Sequence, residues 1–175
     1  AYSKILSNSK KVEYLMNKYN LNDSMSFGCC TTFDFCGKKY SEHYINLLNT
    51  HDMISKKVDF NKIHSVFEIG GGFGVGCHIL IQNYPNIKKY LYLDIPPNLY
   101  VGTEYLRSLY NSSVIDYLQL KNERKIAFKN DGNLEILCMP PWILDKFKTG
   151  KNIDFFYNAH SFVEMPKFIV EYYCN

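Results

Sequence analysis

An α/β fold built on a parallel sheet with crossover helices is what this sequence predicts, and three observations carry the expectation. From Ser65 onward, short β-prone runs alternate with helical stretches, the order in which parallel strands and their crossovers occur along a chain. The first of these runs, Val66-Phe67-Glu68-Ile69, passes directly into Gly70-Gly71-Gly72-Phe73-Gly74 and then into the helical stretch from Val75 to Tyr84. Finally, 46% hydrophobic and 21% charged residues over 175 positions supply one apolar core and a solvated surface.

Taken in order, the elements begin with two amphipathic helices. Val12, Leu15, Met16 and Tyr19 recur at the helical period, and Tyr40, Tyr44, Leu47 and Leu48 do much the same. Residues 1–60 are therefore read as an N-terminal helical segment, a lid or acceptor side, and 61–175 as the sheet-bearing domain. Between the helices, Asn22 to Gly37 holds Gly28, a Cys-Cys-Thr-Thr run and the aromatics Phe27, Phe33 and Phe35; it reads as a loop that packs onto something apolar. Strands are expected at about 65–69, 90–94, 134–138 and 153–158, with helices at about 75–84, 97–110 and 114–121. A last helix begins near Pro166, because proline suits a first helical position.

Composition excludes several classes. No apolar run approaches the roughly 20 residues that span a bilayer, and Ala1-Tyr2-Ser3-Lys4 lacks a signal peptide's apolar stretch; a cytoplasmic protein is expected, with no membrane partner. The six cysteines contain no C-x-x-C pair, so reduced thiols are expected. Cys29, Cys30, Cys36 and His43 match no tetrahedral spacing, and no metal site is expected there. A net charge of +3 with lysine pairs scattered over separate segments reads as solvated surface rather than a nucleic-acid face.

The glycine run carries the chemistry. A strand, a glycine turn and a helix N-terminus make a nucleotide site, since the turn lets a ligand approach the backbone and the helix offers unpaired N–H groups. The dinucleotide spacing G-x-G-x-x-G fails: from Gly70 its last position falls on Val75, and from Gly72 on Cys77. No P-loop lysine is present. The pattern that fits is acidic-x-Gly-x-Gly-x-Gly, with Glu68, Gly70, Gly72 and Gly74. A second carboxylate, Asp94, closes the next strand, Lys89-Tyr90-Leu91-Tyr92-Leu93-Asp94; a carboxylate there is able to accept two hydrogen bonds from a ribose and to discriminate against a phosphorylated one, although Asp94 alone would also suit the start of the turn at Pro96-Pro97.

Together these residues resemble motif I of class I, Rossmann-like methyltransferases that use S-adenosylmethionine and release S-adenosylhomocysteine. The resemblance implies a Rossmann-like parallel sheet and a cofactor held by Glu68, Gly70, Gly71, Gly72, Gly74, Asp94 and Asn158. Many members of that family place an acid at the third strand's end for the adenine amino group, whereas here Leu134-Glu135-Ile136-Leu137-Cys138 runs into Met139-Pro140-Pro141-Trp142. Adenine is then expected between apolar side chains such as Ile95 and Met139.

The acceptor should meet the exit of the fourth strand, because ligands of parallel sheets lie outside the strands' carboxyl ends. That exit, Tyr157-Asn158-Ala159-His160-Ser161-Phe162-Val163-Glu164-Met165-Pro166, looks like motif IV of the sugar O-methyltransferase family, where Ser-Phe-x-Glu-Met follows the strand. The resemblance covers roughly residues 60–175 and implies methyl transfer to a hydroxyl of a sugar or glycosylated small molecule. An amine or phenolic acceptor, and a non-catalytic methyltransferase-like binding module or fragment, are the alternatives. Some sugar methyltransferases use magnesium, and the motifs give no sign of it in either direction. His160 is the expected general base, since a neutral imidazole accepts the hydroxyl proton as the new bond forms. Glu164 is expected as an acceptor-side or structural carboxylate; Ser161-x-x-Glu164 also fits a capping box, although Pro166 then falls inside the helix. A class I sheet has further strands beyond its fourth, so the resemblance also implies a chain truncated after that strand, even with one more strand hidden in Glu123 to Lys129.

Overall fold

The computed structural model describes residues 8–20, 32–150 and 152–174. These fall into two compact units, one made of the described residues up to Lys62 with His78–Pro85, the other of Ile63–Cys77 with the described residues from Asn86 on.

The first unit holds α1 (Ser9–Lys18), a hairpin of β1 (Thr32–Phe35) and β2 (Lys38–Ser41), and α2 (Glu42–Ile54). Asn8 caps α1 by accepting the Lys11 amide, and Ser41 caps α2 by accepting the Tyr44 amide, satisfying donors that a helix start leaves open. The apolar stripes read from the sequence turn inward: Val12, Leu15, Tyr19, Tyr44, Leu47 and Leu48 are buried and Met16 is half-buried, while Tyr40, read with the second helix, is buried on β2 instead. Asp52 ties the two helices. Its side chain is fully buried and receives Lys11 Nζ at 2.9 Å, Lys18 Nζ at 2.7 Å and Tyr19 Oη at 3.1 Å. Burial works against its charge, but the Lys18 and Lys11 ammonium groups win and hold the carboxyl well below its usual range.

Residues 32–37 do not form an irregular loop: Phe33 and Phe35 lie on β1, paired with Tyr40 and Lys38 across a turn at Cys36-Gly37. The alternation Thr-Phe-Asp-Phe puts both rings on one face, a short period that the surrounding turn residues mask. Phe27, Gly28 and the Cys29-Cys30 pair lie outside the described residues.

The second unit is an α/β layer. Its five strands are β3 (Ser65–Ile69), β4 (Lys89–Leu93), β5 (Val114–Ile115), β6 (Glu135–Met139) and β7 (Phe155–Tyr157). They form one parallel sheet in the order β5-β6-β4-β3-β7, the arrangement expected of a Rossmann-like fold. The helices are α3 (Val75–Asn83), whose first turn belongs to this unit, α4 (Asn98–Tyr110), α5 (Tyr117–Leu120) and α6 (Lys167–Cys174). β6 is buried along its whole length and β4 nearly so, as befits parallel strands covered on both faces. Ile69, Leu91, Leu93, Leu137, Met139 and Ile143 lie in one buried cluster. The register of β7 is pinned at its start, where Asp154 Oδ2 accepts the amides of His64 and Ser65 and the Ser65 hydroxyl.

The expected helix over 114–121 is replaced by a short strand and a short helix. Val114 and Ile115 pair with Ile136 and Leu137 on β6, adding a fifth strand, because two β-branched residues fit a pleated edge better than a helix start. Asp116 then caps α5, accepting the Gln119 amide while the Gln119 side chain returns to the Asp116 amide, a reciprocal capping box. Within 123–129 there is a single bridge, Ile126 to Phe147, and no strand. Among the described residues, Cys36, Cys77, Cys138 and Cys174 are free thiols, no group of side chains has the makings of a metal site, and no helix is long and apolar enough to cross a membrane.

Candidate nucleotide site

β3 is the strand at which the chain order reverses: β4 and β6 follow on one side and β7 lies on the other. The loops leaving β3 and β7 therefore part at the carboxyl edge of the sheet, the crevice in which open α/β sheets bind ligands. The glycine turn sits at this point. Gly70 N donates to Leu93 O at 2.8 Å and Gly74 N to Gly71 O at 2.9 Å, so the turn is pinned to β4 and closed on itself before α3 begins.

Asp94 lies just past the end of β4 with 6% of its surface exposed. Its Oδ2 accepts the Gly72 amide at 2.6 Å and its Oδ1 the Ile95 amide at 2.7 Å. Burial raises its pKa, opposed by those two amides and the Asn98 side chain. Gly72 has φ +57, and a Cβ placed on it would meet nothing within 4 Å; the turn needs glycine for its left-handed backbone, and the space in front of it is open. Glu68 lies beneath, 2% exposed, accepting the Tyr90 hydroxyl at 2.9 Å. Burial pushes its carboxyl up to about 7, the Tyr90 hydroxyl lowers it in part, and the nearby Asp94 charge adds to the rise.

The exit of β7 is fastened to the same turn. Asn158 Nδ2 donates to Ile69 O at 2.8 Å and to Ser161 Oγ at 2.6 Å, while its Oδ1 accepts the Phe162 amide. The Ser161 hydroxyl stands where a Cβ on Gly70 would be. Ser161 thus opens a 3₁₀ turn, Ser161–Val163, rather than α6, which starts at Lys167 after Pro166. His160 immediately precedes this anchored serine and is exposed, as is Glu164. No family model, curated protein or solved structure matches this chain.

Glu68, Gly70, Gly71, Gly72, Asp94 and Asn158 are therefore gathered around one turn, with Gly74 closing it, and Ile95 beside it is 58% exposed. Met139 is a correction. Although expected against an adenine ring, it is fully buried in the core cluster and has no surface to offer, because β6 is a parallel strand covered on both faces along its whole length. Its carbonyl instead accepts the Asp94 amide at 3.3 Å, and Trp142 is the exposed ring at that strand exit. Sequence reasoning also missed Tyr90 and Tyr92. Both lie on the face of β4 that carries Asp94, a period-two signal visible in Tyr90-Leu91-Tyr92-Leu93-Asp94.

The buried Glu68 has a measurable consequence. Its folded pKa stands above the ordinary 4.5, so the folded state keeps a proton that the unfolded chain loses. The stability that this one group contributes is full below pH 4.5 and is lost as pH rises through about 7, about 3 kcal/mol in all. Glu68→Gln should remove that slope, which denaturant titrations at pH 5 and pH 8 will register; equal slopes in both proteins would show that Glu68 titrates normally.

Proposed function

We propose that this chain is an S-adenosylmethionine-dependent methyltransferase, cytoplasmic, acting on a hydroxyl of a sugar or glycosylated small molecule. The observation that carries the reading is the bond from the Gly72 amide to Asp94 Oδ2. It joins the two halves of the sequence signal, the glycine turn and the second strand's carboxylate, at the switch point of the sheet.

The residues fit such a cofactor. An ionised carboxylate has about four acceptor positions, and the backbone amides of Gly72 and Ile95 each take one at Asp94. Ribose hydroxyls would add to the same carboxylate, Ile95 would offer its exposed side chain to the adenine, and the open face of Gly72 leaves room for the backbone to be approached. When bound, the cofactor supplies an electrophilic methyl group on a sulfonium. The protein then has to align the acceptor hydroxyl and take its proton. His160 is the residue assigned that proton, because Ser161 and Asn158 tie its neighbourhood to the end of β3 beside Gly70. Glu164 is assigned to the acceptor side.

Calorimetry with S-adenosylmethionine, S-adenosylhomocysteine and a nicotinamide dinucleotide tests the reading: binding to the adenosyl ligands is expected, and binding to the dinucleotide alone would overturn it. Asp94→Ala should weaken S-adenosylhomocysteine by about 1.5–3 kcal/mol, the range for hydrogen bonds to a charged group. Unchanged affinity in a folded variant would remove Asp94 from the site.

A further inference from the structure

Tyr92 is fully buried on β4, yet its hydroxyl is not idle: it donates to the Gly72 carbonyl at 2.5 Å. Asp94, two positions on and on the same face of the strand, takes the Gly72 amide. Both peptide groups of Gly72, the middle one of the turn's three left-handed glycines, are thus held from β4 and the residue just past its end. The ring of Tyr92 fills the space under Gly71, where a Cβ would overlap it. Gly102 on α4 completes the arrangement: a Cβ there would overlap the Tyr92 hydroxyl and lie 2.8 Å from the Gly72 carbonyl oxygen. Only glycine lets this helix come so close to the turn. A buried hydroxyl is costly unless bonded, and the apolar packing needs only the ring.

We propose that Tyr92 is a positioning residue for the nucleotide turn, clamping Gly72 with Asp94 into its ligand-ready shape before any ligand arrives. The inference rests on the methyltransferase reading for the identity of the ligand, but not for the clamp itself. A turn held in this way loses little further freedom on binding, and such preorganisation appears as affinity.

Tyr92→Phe keeps the ring and deletes the clamp. S-adenosylhomocysteine affinity, measured by calorimetry, should fall about five- to tenfold, the worth of one neutral hydrogen bond. Amide hydrogen exchange at Gly72, followed by NMR without ligand, should accelerate by a similar factor, with the melting temperature within a few degrees of the parent. Tyr90→Phe removes a hydroxyl that serves Glu68 rather than the turn, so it should leave Gly72 exchange unchanged. If Tyr92→Phe alters neither Gly72 exchange nor affinity, or if both tyrosine variants loosen Gly72 equally, the clamp is refuted. If the parent protein binds no adenosyl ligand while Tyr92→Phe still frees Gly72, the clamp stands and the methyltransferase reading fails.

Discussion

His160→Ala is expected to lower turnover by about 10²–10⁴-fold, the usual contribution of a positioned general base, with S-adenosylhomocysteine affinity close to the parent's. Among the histidines, His43 and His51 lie on α2, His78 inside α3, and His64 just ahead of β3. His160 alone follows a strand at the carboxyl edge of the sheet. It is exposed, its carbonyl accepts the Val163 amide at 3.1 Å, and the next residue is held against Gly70 through Asn158 and Ile69. Its backbone is thus fixed while its side chain faces solvent, as a base must before an acceptor covers it. A histidine that only stabilised the loop would behave otherwise: the substitution would lower the melting temperature and spare the rate per folded molecule. Both quantities should be measured on one preparation against a panel of sugar acceptors. Near-normal turnover would pass the role to Glu164 or another group.

Acidification from pH 6.5 to pH 4 should destabilise the protein by about 3 kcal/mol for each of His51 and His78. Burial lowers both imidazoles from 6.5 to about 4; for His51 the Asp52 charge opposes this and Lys18 reinforces it. His51 is packed among the rings of Tyr19, Phe60 and Tyr84, with Tyr84 Oη 3.0 Å from Nε2, and His78 lies against Tyr44. The sign follows from the depressed values: below pH 6.5 the unfolded chain takes up protons that the folded state refuses, so stability falls with falling pH until the folded imidazoles titrate near 4. Glu68 works in the opposite direction over pH 7 to 4.5, but it is one group against two. Denaturant midpoints read between pH 7 and 4.5 should therefore drop, and His78→Phe, which keeps a ring without a titrating nitrogen, should remove about half of the histidine share. An acid limb unchanged by that substitution would show that His78 does not titrate as its burial requires.

Much of the second unit is legible in the sequence. Four of the five strands, α3 and α4 lie where the alternation of apolar runs and glycine or proline breaks puts them, because a buried parallel strand and an amphipathic helix leave different periods in the sequence. β5 was not legible: two β-branched residues carry no period, and only β6 beside them makes a strand of Val114-Ile115. The hairpin was hidden for a similar reason. Phe33 and Phe35 alternate over too few positions to outweigh the turn residues around them.

The sequence by itself determined the chemistry of the turn, since acid and glycine spacing are local: a residue that must be left-handed or approached closely has to be glycine, and a strand-end carboxylate announces itself by position. Tertiary structure decided everything that depends on distant partners. It buried Met139 and exposed Trp142, engaged Ser161 with Asn158 and Ile69 in place of a helix cap, and set Lys11 and Lys18 around Asp52 although they lie far from it along the chain. It also brought the Tyr92 hydroxyl and Gly102 together against the Gly72 carbonyl. Propensity and spacing act over a few residues, whereas desolvation and hydrogen-bond satisfaction are settled only when the layers close on one another.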